Sequence, residues 1–143
     1  MSLLLWSSAW DTGITNIDRQ HRSLLNQING LFDAIKSQDP SGLPEMLMFL
    51  AGYVDAHFRD EELAMEATGF PGLAAHRVIH DDMRRQVAEL ITKFEGDRSV
   101  LTADVIEFLM DWLVNHIDGQ DRAMADYLRR CDPSLHDLDP VSA

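Results

Sequence analysis

From Asp18 onward the apolar residues of the chain recur at helical spacing. His21, Leu25, Ile28, Phe32 and Ile35 alternate steps of four and three, with Leu24 and Leu31 widening the stripe, which is the period of an amphipathic helix. Ser37-Gln38-Asp39-Pro40-Ser41-Gly42 ends it as a turn by composition. A second helix is expected from about Ser41 to Ala67, with Met46, Leu50, Tyr53 and Val54 on its apolar face and Thr68-Gly69 as its stop. Pro71 sits where a helix starts comfortably. The third helix then carries Leu73, His76, His80, Met83, Val87, Leu90 and Phe94, until Glu95-Gly96-Asp97-Arg98-Ser99 breaks it. The fourth opens near Thr102, a suitable N-cap, and carries Val105, Leu109, Trp112, Leu113, His116, Ile117, Met124 and Leu128 before Asp132-Pro133. Residues 1–17 show no helical period and hold Trp6 and Trp10, so they are read as an extended arm packing its indoles on the body. The prediction is an all-α, up-down-up-down four-helix bundle (18–130) with an extended N-terminal arm (1–17) and a polar C-terminal tail (131–143).

Composition narrows this only a little. A chain of 143 residues that is 45% hydrophobic is long enough for one domain, 1–143, to bury a core without staples. A net charge of -12 argues against nucleic acid and against an anionic membrane surface as partners. The single cysteine, Cys131, rules out an intramolecular disulfide and fits a reducing compartment. The short apolar run near the start has no basic residue before it and is too brief for a signal peptide. No stretch reaches the ~18 apolar residues of a membrane span. The expected location is cytoplasmic, with no membrane insertion.

The helical pattern has one anomaly, and it is chemical. Of six histidines, His21, His57, His76, His80 and His116 occupy core-facing positions, and every helix contributes. His57 and Glu61, and likewise His76 and His80, are spaced i, i+4 and share a helix face. One inward histidine is ordinarily a satisfied core residue. Five imidazoles cannot satisfy one another without acceptors, whereas a metal accepts them all. Asp121 lies in register with Leu113, Ile117, Met124 and Leu128, yet it follows His116 by five residues. Either its side chain swings across, or a π-bulge near Asp118-Gly119-Gln120 absorbs the extra residue. Glu62 turns about 100° away from Glu61, towards solvent or a supporting contact with a histidine.

Five imidazoles and two carboxylates exceed one ion, lack the thiolates of structural zinc and are too nitrogen-rich for Mg or Ca. Two octahedral irons fit. Five nitrogens, two bridging carboxylates and one bridging oxygen leave a single position open for one small molecule. Neutral imidazoles lean towards the ferrous state and reversible binding. The Glu-x-x-His pairs of ferritin-type sites do not occur. The donor set leaves open which metal is loaded.

The pattern resembles the hemerythrins, specifically the bacterial single-domain kind, bacteriohemerythrin. The matching residues are Trp6, Gly13, Ile17-Asp18-Arg19-Gln20-His21, His57-Phe58-Arg59-Asp60-Glu61-Glu62, Met65, Gly69-Phe70-Pro71, His76, His80, Trp112-Leu113-Val114-Asn115-His116-Ile117 and Asp121. The resemblance implies an oxo- or hydroxo-bridged non-haem di-iron site that binds O2 reversibly, as peroxide, at one iron. It implies that His76, His80 and His116 hold the closed iron and that His21 and His57 hold the other. Glu61 and Asp121 would bridge. Phe58, Trp112, Leu113 and Ile117 align with an apolar O2 pocket, and ordinary bundle core is their plainer reading. The chain departs from the family in having Phe70 where Tyr is frequent, and Trp10 where a smaller residue is common. The implied function is an oxygen carrier, store or supplier, not an enzyme, with O2 and an O2-consuming enzyme as partners. The alternatives are an O2 or iron sensor module and a di-iron enzyme acting on peroxide or nitric oxide. An enzyme would need a proton donor, and Tyr53 and Tyr127 are the only phenols. His136, beside Pro133 and Asp137, is expected to be exposed and no ligand.

Overall fold

The computed structural model describes residues 4–39 and 41–132, so His136 and the rest of residues 133–143 lie outside the described residues. Helices α1 (Thr15–Lys36), α2 (Leu43–Thr68) and α3 (Leu73–Gly96) are followed by α4 (Ala103–His116), a π-helical turn (Ile117–Asp121) and α5 (Arg122–Cys131). The last three segments continue one another as the fourth rod of the bundle. No strand occurs among the described residues.

The stripes read from the sequence become the core. On α1 the buried face is His21, Leu24, Leu25, Ile28, Leu31 and Phe32, and Ile35 closes it half-buried. On α2 the inward residues near its start are Leu47 and Leu50. Met46, Tyr53 and Val54 are only partly buried against them, so that stripe sits slightly rotated from the expected one. Two apolar clusters result. The larger joins Leu24, Leu25, Ile28, Leu50, Phe58, Met83, Ile106 and Leu113, and the smaller joins Ile14, Ile17, Met65, Met124, Ala125 and Leu128. On α1, His21 falls between Ile17 of the smaller cluster and Leu24 of the larger. On α2, Glu61 falls between Phe58 and Met65 in the same way. A polar layer is thus held between two greasy ones.

Local chemistry sets the helix ends. Gly69 takes the left-handed conformation at φ +69°, and Phe70 donates its N–H back to the Met65 carbonyl at 2.9 Å. This closes α2 where the sequence predicted. The Thr102 hydroxyl accepts the Val105 N–H, as an N-cap does. Helix α1 begins at Thr15, three residues before the expected start at Asp18. The Asp18 carboxylate reaches back to accept from Thr12 N and Oγ1 and from Gly13 N, so it lies inside the first turn and ties the arm to it.

The arm is extended apart from a short 3₁₀ turn at Ser8–Trp10. Its indoles pack edge to face, Trp6 on Trp10 at 5.5 Å, and both lie against the larger cluster. It is fastened at both ends. Asn29 on α1 accepts from Leu4 N at 3.0 Å and donates to Leu4 O, and the Arg122 guanidinium on α5 reaches the carbonyls of Ala9 and Asp11. Replacing Asn29 by Ala removes both bonds to Leu4 and is expected to cost about 1–3 kcal/mol. Denaturant unfolding measures that cost, and limited proteolysis should show cleavage moving into the arm while the helices persist.

Candidate metal centre

The structure brings the seven expected donors to one point. His21, His57, Glu61, His76, His80, His116 and Asp121 are all buried, none more than 3% exposed. They come from α1, α2, α3, α4 and the π turn. That turn is the device anticipated for Asp121. By absorbing one extra residue between His116 and Asp121, it keeps both on the inward face, with Asp121 Oδ1 3.1 Å from His116 Nε2. Gly119 and Gln120 bulge outward and are exposed.

The two carboxylates divide the site. Glu61 turns Oε2 to His57 Nε2 at 3.0 Å and His21 Nε2 at 3.2 Å, and turns Oε1 to His80 Nε2 at 3.2 Å. Asp121 turns Oδ2 to His21 Nε2 at 3.0 Å and Oδ1 to His76 Nε2 at 3.0 Å. Two sets of donor atoms follow, each within 4.8 Å of one another: Glu61, Asp121, His76, His80 and His116 in one, and Glu61, Asp121, His21 and His57 in the other. Both carboxylates are shared.

The electrostatics fit a cation. Burial alone would lower the His21 pKa, but hydrogen bonds and charge from Asp121 and Glu61 outweigh it and push the imidazole up to about 10. His76 is pushed up to about 9 by the same two carboxylates against the same burial. Glu61 lies well below the usual carboxylate range, burial notwithstanding, through the attraction of His57 and a hydrogen bond from His21. Asp121 is also lowered, where His116 and His21 outweigh burial and the repulsion of Glu61. Even so, His57 Nε2, Glu61 Oε1 and Asp121 Oδ2 are buried and make no hydrogen bond. Their neighbours stand close but misaligned, as donors do when they face a shared third body. Two metal ions, one in each set, would engage all three orphaned atoms.

An outer ring aims the imidazoles. Gln20 accepts from His57 Nδ1 at 2.6 Å, Glu62 from His80 Nδ1 at 2.7 Å, and Gln120 from His116 Nδ1 at 3.0 Å. Each bond leaves Nε2 with its lone pair towards the centre. The sequence suggested the supporting contact for Glu62. Gln20 figured there only within the matching motif and Gln120 only beside the bulge, neither with a role, since a glutamine beside a helical histidine is an ordinary surface residue. Aromatic faces complete the packing: Phe58 stacks on His80 at 3.9 Å and Trp112 on His116 at 4.7 Å.

Phe58, Trp112 and Leu113 line an apolar cavity of about 30 Å³ with Leu24, Ile28, Leu50, Val54, Met83, Val87 and Leu109. Ile117 is fully buried in the π turn but is not part of that lining. The two phenols lie elsewhere. Tyr127 donates towards the Thr68 and Gly69 carbonyls, and Tyr53 is packed on the outside of the larger cluster.

Residues 12–128 match the family model described as the hemerythrin HHE cation binding domain. The chain belongs to the hemerythrin family. Among hemerythrin relatives, the bacteriohemerythrin of Stenotrophomonas maltophilia is 34% identical over 129 residues, covering 90% of this chain and 84% of that one. The bacteriohemerythrin of Methylococcus capsulatus is 33% identical over 123 residues, covering 85% and 94%. A crystal structure of wild-type hemerythrin superposes with a TM-score of 0.84 at 32% identity, covering 89% of this chain and 98% of its own. Family membership and the buried histidine–carboxylate cluster together make this a hemerythrin with a non-haem iron-binding site.

Two outcomes follow for the metal-free protein. His21 and His76 carry protons at pH 7 that a metal must displace, so loading should release about two protons and tighten as the pH rises towards 9. Calorimetry in buffers of differing ionisation enthalpy reads the release, and a buffer-independent enthalpy would contradict it. Replacing Glu61 by Ala removes one shared carboxylate and should abolish loading of both ions, read as iron per chain.

Proposed function

We propose that this chain binds O2 reversibly at two iron ions and acts as an oxygen carrier, store or supplier. His76, His80 and His116 would hold one iron and His21 and His57 the other, with Glu61 and Asp121 shared between the two pockets. Five residues would serve the first ion and four the second, so the pocket of His21 and His57 has one protein donor fewer and would be the one to take an outside ligand. When bound, a ferrous pair supplies the electrons and the open position that reversible O2 binding needs.

The observation that carries this reading is the apolar cavity beside the donors. Its lining offers no hydroxyl, carboxyl or amine, only hydrocarbon, one thioether and the indole of Trp112. Loss of O2 as hydrogen peroxide needs protons and water, and such a lining supplies neither. The same feature weighs against an enzyme that reduces peroxide or nitric oxide, because neither Tyr53 nor Tyr127 lines the cavity. No acid lines the cavity, and Glu61 and Asp121 in the polar layer both face imidazoles. Among the described residues no helix is long and apolar enough to cross a membrane. We place the protein in the cytoplasm, with an O2-consuming enzyme as the natural recipient.

The test is spectroscopic. The iron-loaded protein, reduced without air and then exposed to O2, should develop a visible charge-transfer band that bleaches when O2 is removed, over repeated cycles. Rapid, irreversible conversion to the diferric form would overturn the carrier reading, and steady peroxide consumption would replace it with the enzymatic one. Replacing Leu113 by Ala opens the cavity wall to water and should accelerate autoxidation several-fold. An unchanged rate would remove Leu113 from the pocket.

A further inference from the structure

The three imidazoles with a ring of outer partners are not backed alike. His57 and His116 each give their Nδ1 proton to a neutral amide, Gln20 and Gln120. His80 alone gives its proton to a carboxylate, Glu62, at 2.7 Å. Behind Gln20 the nearest charge is one step removed, since its amide donates to Asp60 at 3.0 Å.

Glu62 is itself held in place. Arg84 on α3 donates NH1 to Glu62 Oε2 at 2.9 Å and NH2 to Oε1 at 3.3 Å, a two-pronged grip. The same guanidinium is fixed by Asp55 at 3.0 Å and Asp81 at 2.8 Å. It also lies over the ring of Phe58 at 5.4 Å, and the Phe58 ring stacks nearly parallel on His80. Arg84 therefore secures both the edge and the face of one imidazole. A carboxylate behind a ligating histidine fixes its tautomer and strengthens it as a donor, and outer partners of this sort typically contribute 10–100-fold in metal affinity.

We propose that Glu62, clamped by Arg84, is a positioning residue that makes the three-histidine pocket the tighter of the two metal sites. The inference rests on reading the seven donors as two metal pockets. Glu62 lends His80 anionic character, while the pocket of His21 and His57 has only a neutral amide behind it. The more strongly held ion is the one without the open position. The ion that meets the outside ligand keeps the weaker and more labile donor set.

The experiment titrates the whole metal-free protein with Co(II), without air, against a competing chelator, and follows the Co(II) absorption. The wild-type chain should fill in two steps. E62Q keeps an acceptor for the His80 Nδ1 proton but loses the charge, and should weaken the first step by about 10–100-fold while leaving the second within about threefold. R84M should move the first step in the same direction by less. Q20L should weaken the second step instead. In the iron-loaded protein, E62Q should also raise the reduction potential, which a merely structural contact would not do. Equal weakening of both steps, or an unchanged first step in E62Q with native circular dichroism, overturns the proposal. A wild-type chain that takes up fewer than two Co(II) overturns the two-pocket reading beneath it.

Discussion

Glu61 has one oxygen on each side of a single carboxylate carbon, Oε2 3.0 Å from His57 and Oε1 3.2 Å from His80. The rest of the bundle is arranged to make that possible. A buried carboxylate without partners costs several kcal/mol, and a second one, Asp121, lies against it in the same layer. The five imidazoles answer that cost, and they can reach only because each rod of the bundle brings at least one donor to the same height. Apolar clusters above and below exclude the solvent that would otherwise satisfy these groups. The polar layer and the greasy layers are therefore one design: neither arrangement is stable in this form without the other.

Precision comes from residues that do not belong to the central seven. Gln20, Glu62 and Gln120 act on the far nitrogens of three imidazoles, and Phe58 and Trp112 press on the flat faces of two. The π turn contributes in a different way, by correcting a register. A regular helix would rotate Asp121 about 140° from His116. The bulge spends one residue, exposed at Gly119 and Gln120, to bring the two side chains back together. The arm is tied to α1 through Asn29 and to α5 through Arg122, and so links the first and last rods of the bundle.

Much of this was legible in the sequence, for definite reasons. Helix period exposes a core stripe, and histidines within a stripe of leucines and isoleucines are conspicuous, so the fold and the seven donors could be read together. Spacing also revealed the misfit at Asp121, because five residues is a wrong number for a helix and the pattern after it resumes unbroken. The start of α1 was harder. The apolar period begins at about Asp18, whereas the helix starts at Thr15 and the Asp18 carboxylate works backwards on Thr12 and Gly13 from within the first turn. The tilt of the α2 stripe towards Leu47 depends on how α1 and α2 face each other, which no single helix encodes. The roles of Gln20 and Gln120 were invisible because they depend on a distance between helices, or on the bulge, and not on a motif.

The position of Trp112 has a photophysical consequence. Its indole lies 4.7 Å from the ring of His116, whereas Trp6 and Trp10 are paired with each other in the arm. An ion with a partly filled d shell held by His116 would accept excitation from an indole at that range, so the emission of Trp112 would fall when such an ion is loaded. The protein thus carries its own optical gauge of occupancy, readable in dilute solution and without any added dye.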